Sequence, residues 1–201
     1  MKKIIILPLI YLFLYSSHCT AQSNPSFGGN AITKEITLPS FETVEIKGGG
    51  KFYFHYSPHF NKMQLKGDNS CIMQTEHSVS SNKLTIWPNS ELLEACNFEI
   101  HIFTSTLTEI QQDGGGIIVI NDGFAPVSQF ACRINGGGII EMTALKVDAL
   151  YASIKGGGKV SAQVTKTIQA KINGGGIISY LGEPAIASDI SGGGIIKRIK
   201  D

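Results

Sequence analysis

Six Gly-Gly-Gly triplets punctuate this 201-residue chain, and they limit what it can fold into more than any other feature. They are Gly48, Gly49 and Gly50; Gly114, Gly115 and Gly116; Gly136, Gly137 and Gly138; Gly156, Gly157 and Gly158; Gly174, Gly175 and Gly176; and Gly192, Gly193 and Gly194. The last five are almost evenly spaced, starting at positions 114, 136, 156, 174 and 192. A period of about 20 residues points to stacked repeats, and the interval from Gly48 to Gly114 is about three such periods.

The residues beside the triplets decide which kind of repeat. Two positions before the first glycine stand Gln112, Ile134, Ile154, Ile172 and Ile190. Four before stand Ile110, Cys132, Ala152, Ala170 and Ser188, and six before stand Thr108, Phe130, Leu150, Ile168 and Ile186. Polar residues such as Arg133, Asn135, Lys155, Lys171 and Asn173 fall between them. After the triplet the alternation resumes with Ile118, Ile140, Val160, Ile178 and Ile196, then Ile120, Met142, Ala162, Tyr180 and Arg198. Period-two alternation is the mark of a half-buried strand. A helical repeat would space its apolar residues by three and four, and glycine triplets would break its helices.

Each repeat therefore reads as strand, Gly-Gly-Gly corner, strand and short polar return. Equivalent strands of successive coils are expected to pair in parallel about 4.8 Å apart, with like residues stacked in ladders inside the coil. The four-before column is mostly small, so the interior should be narrow there. The fold expected is all-β, a parallel β-helix or β-solenoid with glycine corners and a less regular, strand-rich N-terminal part. Regular coils should start near position 105. Hydrophobic residues make up 42% and charged residues 16%, too apolar for a disordered chain.

The N-terminal half is looser. Val44 and Ile46 lead into Gly48, and Phe52 and Phe54 follow Gly50 at alternate positions. Ser57-Pro58 and Lys66 to Asn69 read as turns, and Leu84 to Trp87 as a strand ended by Pro88. The long interval between Gly48 and Gly114 leaves room for about three coils without a triplet, or for a cap. Residues 1–21 read as a signal peptide: Lys2 and Lys3 precede an apolar run from Ile4 to Tyr15, and Cys19-Thr20-Ala21 is a small-residue cleavage site. Residues 22–35 are expected to be a flexible leader and 36–201 a single solenoid domain. Lipidation of Cys19 is the competing reading, which Ser16, Ser17 and His18 fit poorly.

Net charge is +1, and losing Lys2 and Lys3 takes the mature chain to −1. That balance leaves no electrostatic footprint for nucleic acid. The outward rows before the triplets are Asp113, Asn135, Lys155, Asn173, Ser191 and Gln111, Arg133, Ser153, Lys171, Asp189. Neither places two acids on adjacent coils, as glycoside hydrolysis requires. Lys171 and Asp189 should face each other as a surface ion pair. The glycine runs lack the Lys-Ser/Thr of a phosphate loop and the Asp in each turn of calcium-binding repeats, so they read as structural corners with no cofactor or metal. His55, His59, His77 and His101 read as surface residues, and Cys132 as a core residue. In an oxidising compartment Cys71 and Cys96 are the candidate disulfide.

Several segments share one further trait. Phe41 to Phe52 (FETVEIKGGGKF), Leu65 to Asn69 (LKGDN), Leu84 to Trp87 (LTIW) and the later INGGGII and ISGGGII repeats, in that order, resemble the head GIN domain family of autotransporter adhesin heads. The resemblance spans roughly positions 36–200. It implies a right-handed β-helix on exported proteins, often of Bacteroidetes-type bacteria, and brings no catalytic or ligand residue with it. The expected function is a non-catalytic surface or periplasmic module, adhesive or structural, with a cell-surface glycan or protein as partner. The alternative is a carbohydrate-binding or polysaccharide-degrading β-helix. The exported protein should begin at Gln22 by intact mass, and a lipid-modified Cys19 at its N-terminus would contradict that assignment.

Overall fold

The computed structural model describes residues 31–88 and 98–199. These form fifteen strands and one short helix, joined in one continuous sheet that folds back on itself as a solenoid. The strands are β1 (Ala31–Thr37), β2 (Thr43–Lys47), β3 (Lys51–Tyr56), β4 (Lys62–Asp68), β5 (Glu76–Ser80), β6 (Lys83–Trp87), β7 (Phe98–Thr104) and β8 (Glu109–Gly114). They continue with β9 (Ile117–Ile120), β10 (Val127–Gly136), β11 (Ile139–Gly156), β12 (Lys159–Gly174), β13 (Ile177–Leu181), β14 (Ala185–Ser191) and β15 (Ile195–Arg198). Helix α1 (Asn69–Met73) follows β4.

Two faces run the length of the solenoid. The face that precedes the corners is built of β6, β2, β8, β10, the second half of β11, the second half of β12, and β14, all in parallel. The face that follows them is built of β7, β3, β9, the first halves of β11 and β12, β13 and β15. Ladders form as the alternation predicts. Ile134, Ile154, Ile172 and Ile190 are in register, as are Phe130, Leu150, Ile168 and Ile186. Ile154 and Ile172 are fully enclosed at 0% and 1% exposure. Like residues stacked on like give one unbroken apolar core, whose area scales with the number of coils.

The corner explains the glycines, and each of the three has a different role. At Gly174, φ is +121°, a region that a Cβ disfavours, and an added Cβ would lie 2.7 Å from the carbonyl oxygen of Gly156 in the coil below. At Gly176 an added Cβ would lie 2.6 Å from Cγ2 of Ile154. At Gly175 it would meet nothing within 4 Å. In the last three corners the first glycine thus provides backbone conformation, the third provides space for the isoleucine of the previous coil, and the middle one faces open space. Backbone hydrogen bonds carry the ladder around the bend, as from Ile177 N to Gly158 O at 2.9 Å. Gln112 takes the place of an isoleucine in the first regular coil. It is buried, and its Nε2 donates to the corner carbonyl of Gly115 at 2.6 Å.

The N-terminal part departs from the sequence reading in three ways. First, Gly114 stacks directly on Gly48, because β2 pairs with β8 from Thr43–Glu109 to Lys47–Asp113. The interval between these glycines therefore does not hold three successive coils. It holds one coil, β6 and β7, placed on the far side of β2 and β3, together with a strand-rich cap, the alternative expected for this interval. Second, the expected leader ends early, since residues 31–35 belong to β1. That strand runs antiparallel to β4, which runs antiparallel to β7, and Ile32 and Ile36 pack against the core. Third, Lys66 and Gly67 do not turn the chain. β4 continues to Asp68, and α1 buries Cys71 and Ile72. On the other face β5 closes the edge as an antiparallel hairpin with β6, through Ser81 and Asn82 at φ 50° and 62°.

Alanine at Gly174 should destabilise the protein by about 1–3 kcal/mol, the usual cost of a strained φ. Alanine at Gly175 should be neutral or stabilising by up to about 1 kcal/mol through the unfolded chain. Denaturant melts of the two variants check this, and equal losses would contradict the division of roles.

Candidate binding groove on the outer face

The small inward column shapes the outer surface of the face that precedes the corners. Cys132, Ala152, Ala170 and Ser188 lie in register on adjacent strands, and their backbone forms the floor of a groove of about 440 Å³. Side chains alternate across a strand, so the residues on either side of each floor residue point outward and make walls. One wall is Tyr151, Gln169 and Ala187, and the other is Arg133, Ser153, Lys171 and Asp189. The groove crosses the strands and so runs along the solenoid axis.

Its charges are each paired with a neighbour. Arg133 pairs with Glu109 one coil away, and Lys171 Nζ lies 3.6 Å from Asp189 Oδ2, the contact expected from the sequence. Both partners of the second pair are over 70% exposed, so the pair adds little stability. Tyr151 is 39% exposed, a large ring standing at the edge of an open trough whose floor is the backbone of small residues. Nearer the corner, Asp113 accepts from Gln111 Nε2 at 3.0 Å and from Asn135 Nδ2, so the one acid beside a C-terminal triplet is held by neighbouring amides.

The other residues singled out by sequence lie elsewhere. Cys132 is fully buried under the groove floor with its Sγ 3.4 Å from Met142 Sδ, and burial pushes its thiol far above the ordinary range. It is a free cysteine in the core. Cys71 is disulfide-bonded, and Cys96 lies outside the described residues, as do the signal segment and Cys19. Phe130 is buried and Tyr180 packs against the core. His59 is exposed, and His77 sits half-buried on β5 with its pKa lowered by desolvation.

His55 and His101 are brought together although they are far apart in the chain, with Nε2 of the first 2.9 Å from Nδ1 of the second. Around them on the face that follows the corners stand Tyr53, Phe103 and Phe60, with Lys62 Nζ above the Phe60 and Phe103 rings. Sequence reasoning missed this cluster because it depends on which coil β7 joins. The only sequence signal is the shared outward parity of Tyr53, His55, His101 and Phe103. Among the described residues, no group of three or more His, Cys, Asp or Glu side chains is arranged to hold a metal ion. Among the same residues, no helix is long and apolar enough to cross a membrane.

Comparison with known proteins bears on the same coils. Residues 124–184, which include most of the groove, match the family model described as "Putative auto-transporter adhesin, head GIN domain". The resemblance noted in the repeats is thus found independently over that segment. A crystal structure of a "putative adhesin" from Bacteroides fragilis is 20% identical over 84% of this chain and 97% of its own, with a TM-score of 0.55. A "putative lipid binding protein" from Parabacteroides distasonis is 16% identical over 86% of this chain and 98% of its own, with the same TM-score of 0.55. At these identities the likeness is one of fold. No curated protein matches the chain.

The thiol of Cys132 should resist modification in the folded protein and react only on unfolding. Thiol titration with and without denaturant checks this, and fast labelling of Cys132 under native conditions would contradict its placement in the core.

Proposed function

We propose that the chain is an exported, non-catalytic interaction module, adhesive or structural, whose outer groove holds a cell-surface glycan or protein. The groove is the observation that carries this reading. It is open, crosses several coils, and offers an exposed tyrosine beside amide, hydroxyl and charge-paired groups. Such a surface suits an extended ligand contacted by one coil after another. An exposed aromatic ring that a ligand can cover supplies much of a contact's energy. The adhesin description of the matched family supports the same reading.

The groove does not favour catalysis. Asp189 is the sole carboxylate of its lining and stands beside Lys171, whereas glycoside hydrolysis works through two carboxylates across the bond that breaks. Export is supported by the disulfide at Cys71, because such bonds persist in oxidising compartments. We assign its other half to Cys96.

A glycan array and a panel of immobilised envelope proteins, probed with the mature chain, test the proposal. Tyr151→Ala and Gln169→Ala should each weaken binding by about tenfold, the effect of losing roughly 1.4 kcal/mol, with the melting temperature unchanged. Binding that survives both substitutions would remove the groove from the account. Shortened glycan products would overturn the non-catalytic reading.

A further inference from the structure

The histidine pair lies away from the groove, on the outer side of β3 and β7, and its geometry is specific. The two rings are within 20° of parallel with centroids 5.2 Å apart, the separation given by a head-on, in-plane N–H···N bond of 2.9 Å. Asn121, just beyond β9, places Nδ2 3.3 Å from His55 Nδ1. An amide nitrogen only donates, so with the Asn121 amide in this orientation His55 Nδ1 accepts and the His55 proton sits on Nε2. That proton is donated to His101 Nδ1. His101 therefore carries its own proton on Nε2, 3.6 Å from Glu99 Oε2. The result is a directed chain, Asn121 to His55 to His101, laid across β9, β3 and β7.

We propose that this chain is an acid-sensitive latch, which ties the out-of-sequence β6–β7 coil to its neighbours when neutral, reverses direction on gaining one proton, and breaks on gaining two. The first proton is accommodated. Glu99 favours the charge on His101, whose Nδ1–H then donates to His55 Nε2. The His55 proton moves to Nδ1, and Asn121 turns its amide to accept with Oδ1, so every hydrogen bond is kept with its polarity reversed. The second proton is not accommodated. His55 Nε2–H then faces His101 Nδ1–H, two donors with no acceptor between them, on two like charges.

The surroundings set where this happens. Facing the pair are Lys51 and Tyr53 from β3, Glu99 from β7, Lys62 and Lys66 from β4, and Val119 from β9; Glu35 of β1 engages Lys62 and Gln64. Burial lowers the pKa of both rings from 6.5, and the His101 charge and Lys66 lower that of His55 further. A histidine whose folded pKa is depressed contributes its stability above the unfolded value, and that contribution is lost as pH falls through the folded one. The latch is thus closed at neutral pH and opens on the acid side of 6.5. The coupled pair titrates in two macroscopic steps. What the second step loosens is the outer side of the junction between β3 and β7, beyond which lie the antiparallel strands β4 and β1.

Imidazole ¹⁵N NMR on the mature chain tests the wiring. At about pH 7.5 both rings should be Nε2–H tautomers, and the pair should titrate in two steps below the ordinary value near 6.5. Hydrogen exchange, corrected for its intrinsic pH dependence, should rise about tenfold more in β7 and β4 than in β12 once the second step is passed. His101→Phe keeps a ring against Tyr53 and should abolish that selective response. Asn121→Asp replaces the donor by an acceptor and should reverse both tautomers at neutral pH. Independent titration of the two rings near 6.5, or opening of β7 in acid no greater than that of β12, would overturn the proposal, whether or not the variants fold.

Discussion

Neighbouring coils can stack at strand spacing only because no side chain stands between one corner and the next. The carbonyl oxygen of Gly156 occupies the position where a Cβ of Gly174 would have to go, and the same holds for Gly136 against Gly114 and for Gly192 against Gly174. Everything else follows from that contact. It sets the parallel register of both faces, because Gly136, Gly156 and Gly174 are aligned and the residues two, four and six before them must then align as well. Register in turn brings isoleucine over isoleucine inside, and fixes which polar rows meet outside. The third glycine completes the fit, since the methyl group of Ile154 fills the space that Gly176 leaves.

The C-terminal coils were legible in the sequence because everything in them is local. A triplet, an alternating flank on each side and a short, steady repeat specify strand, corner and inward face together. The small column Cys132, Ala152, Ala170 and Ser188 was visible too, although the groove above it became apparent only with the outward walls in place. The N-terminal half was harder to read because its partners are remote. Nothing in Phe41 to Trp87 tells that β2 will lie between β6 and β8, and the turn residues Lys66 and Gly67 yield to pairing with β1 and β7. Tertiary pairing overrides local preference most easily where the alternation is weak. His55 and His101 were unreadable as a pair for the same reason.

The two ends of the stack are managed differently. Beyond β7 and β6 the edges are covered by the antiparallel strands β4 and β5, with α1 against β4 and β1, while β14 pairs only with β12 and β15 only with β13 among the described residues. Ile186 and Ile190, the last members of buried ladders, are therefore 42% and 41% exposed. Arg198 stands where the inward column would place an apolar residue and bonds Glu183 at 3.1 Å. A charge at an inward position on an edge strand discourages further strands from adding there. Lys34 holds the corresponding position at the opposite edge, opposite Leu65.

The placement of β6 and β7 on the far side of β2 and β3 also sets an order of events during folding. From β8 onward each coil finds its neighbour within about one repeat, so closing each contact costs little loop entropy and growth can proceed coil by coil. β2 must instead find β8, with Glu109 opposite Thr43, and β6, with Lys83 opposite the same residue. Such distant pairings are slow to search. A chain that emerges N-terminus first would present β2 and β3 long before either of their neighbours exists. The regular coils are thus placed to act as the template on which the first part of the chain is finally assembled, so the end of the sequence would direct the folding of its beginning.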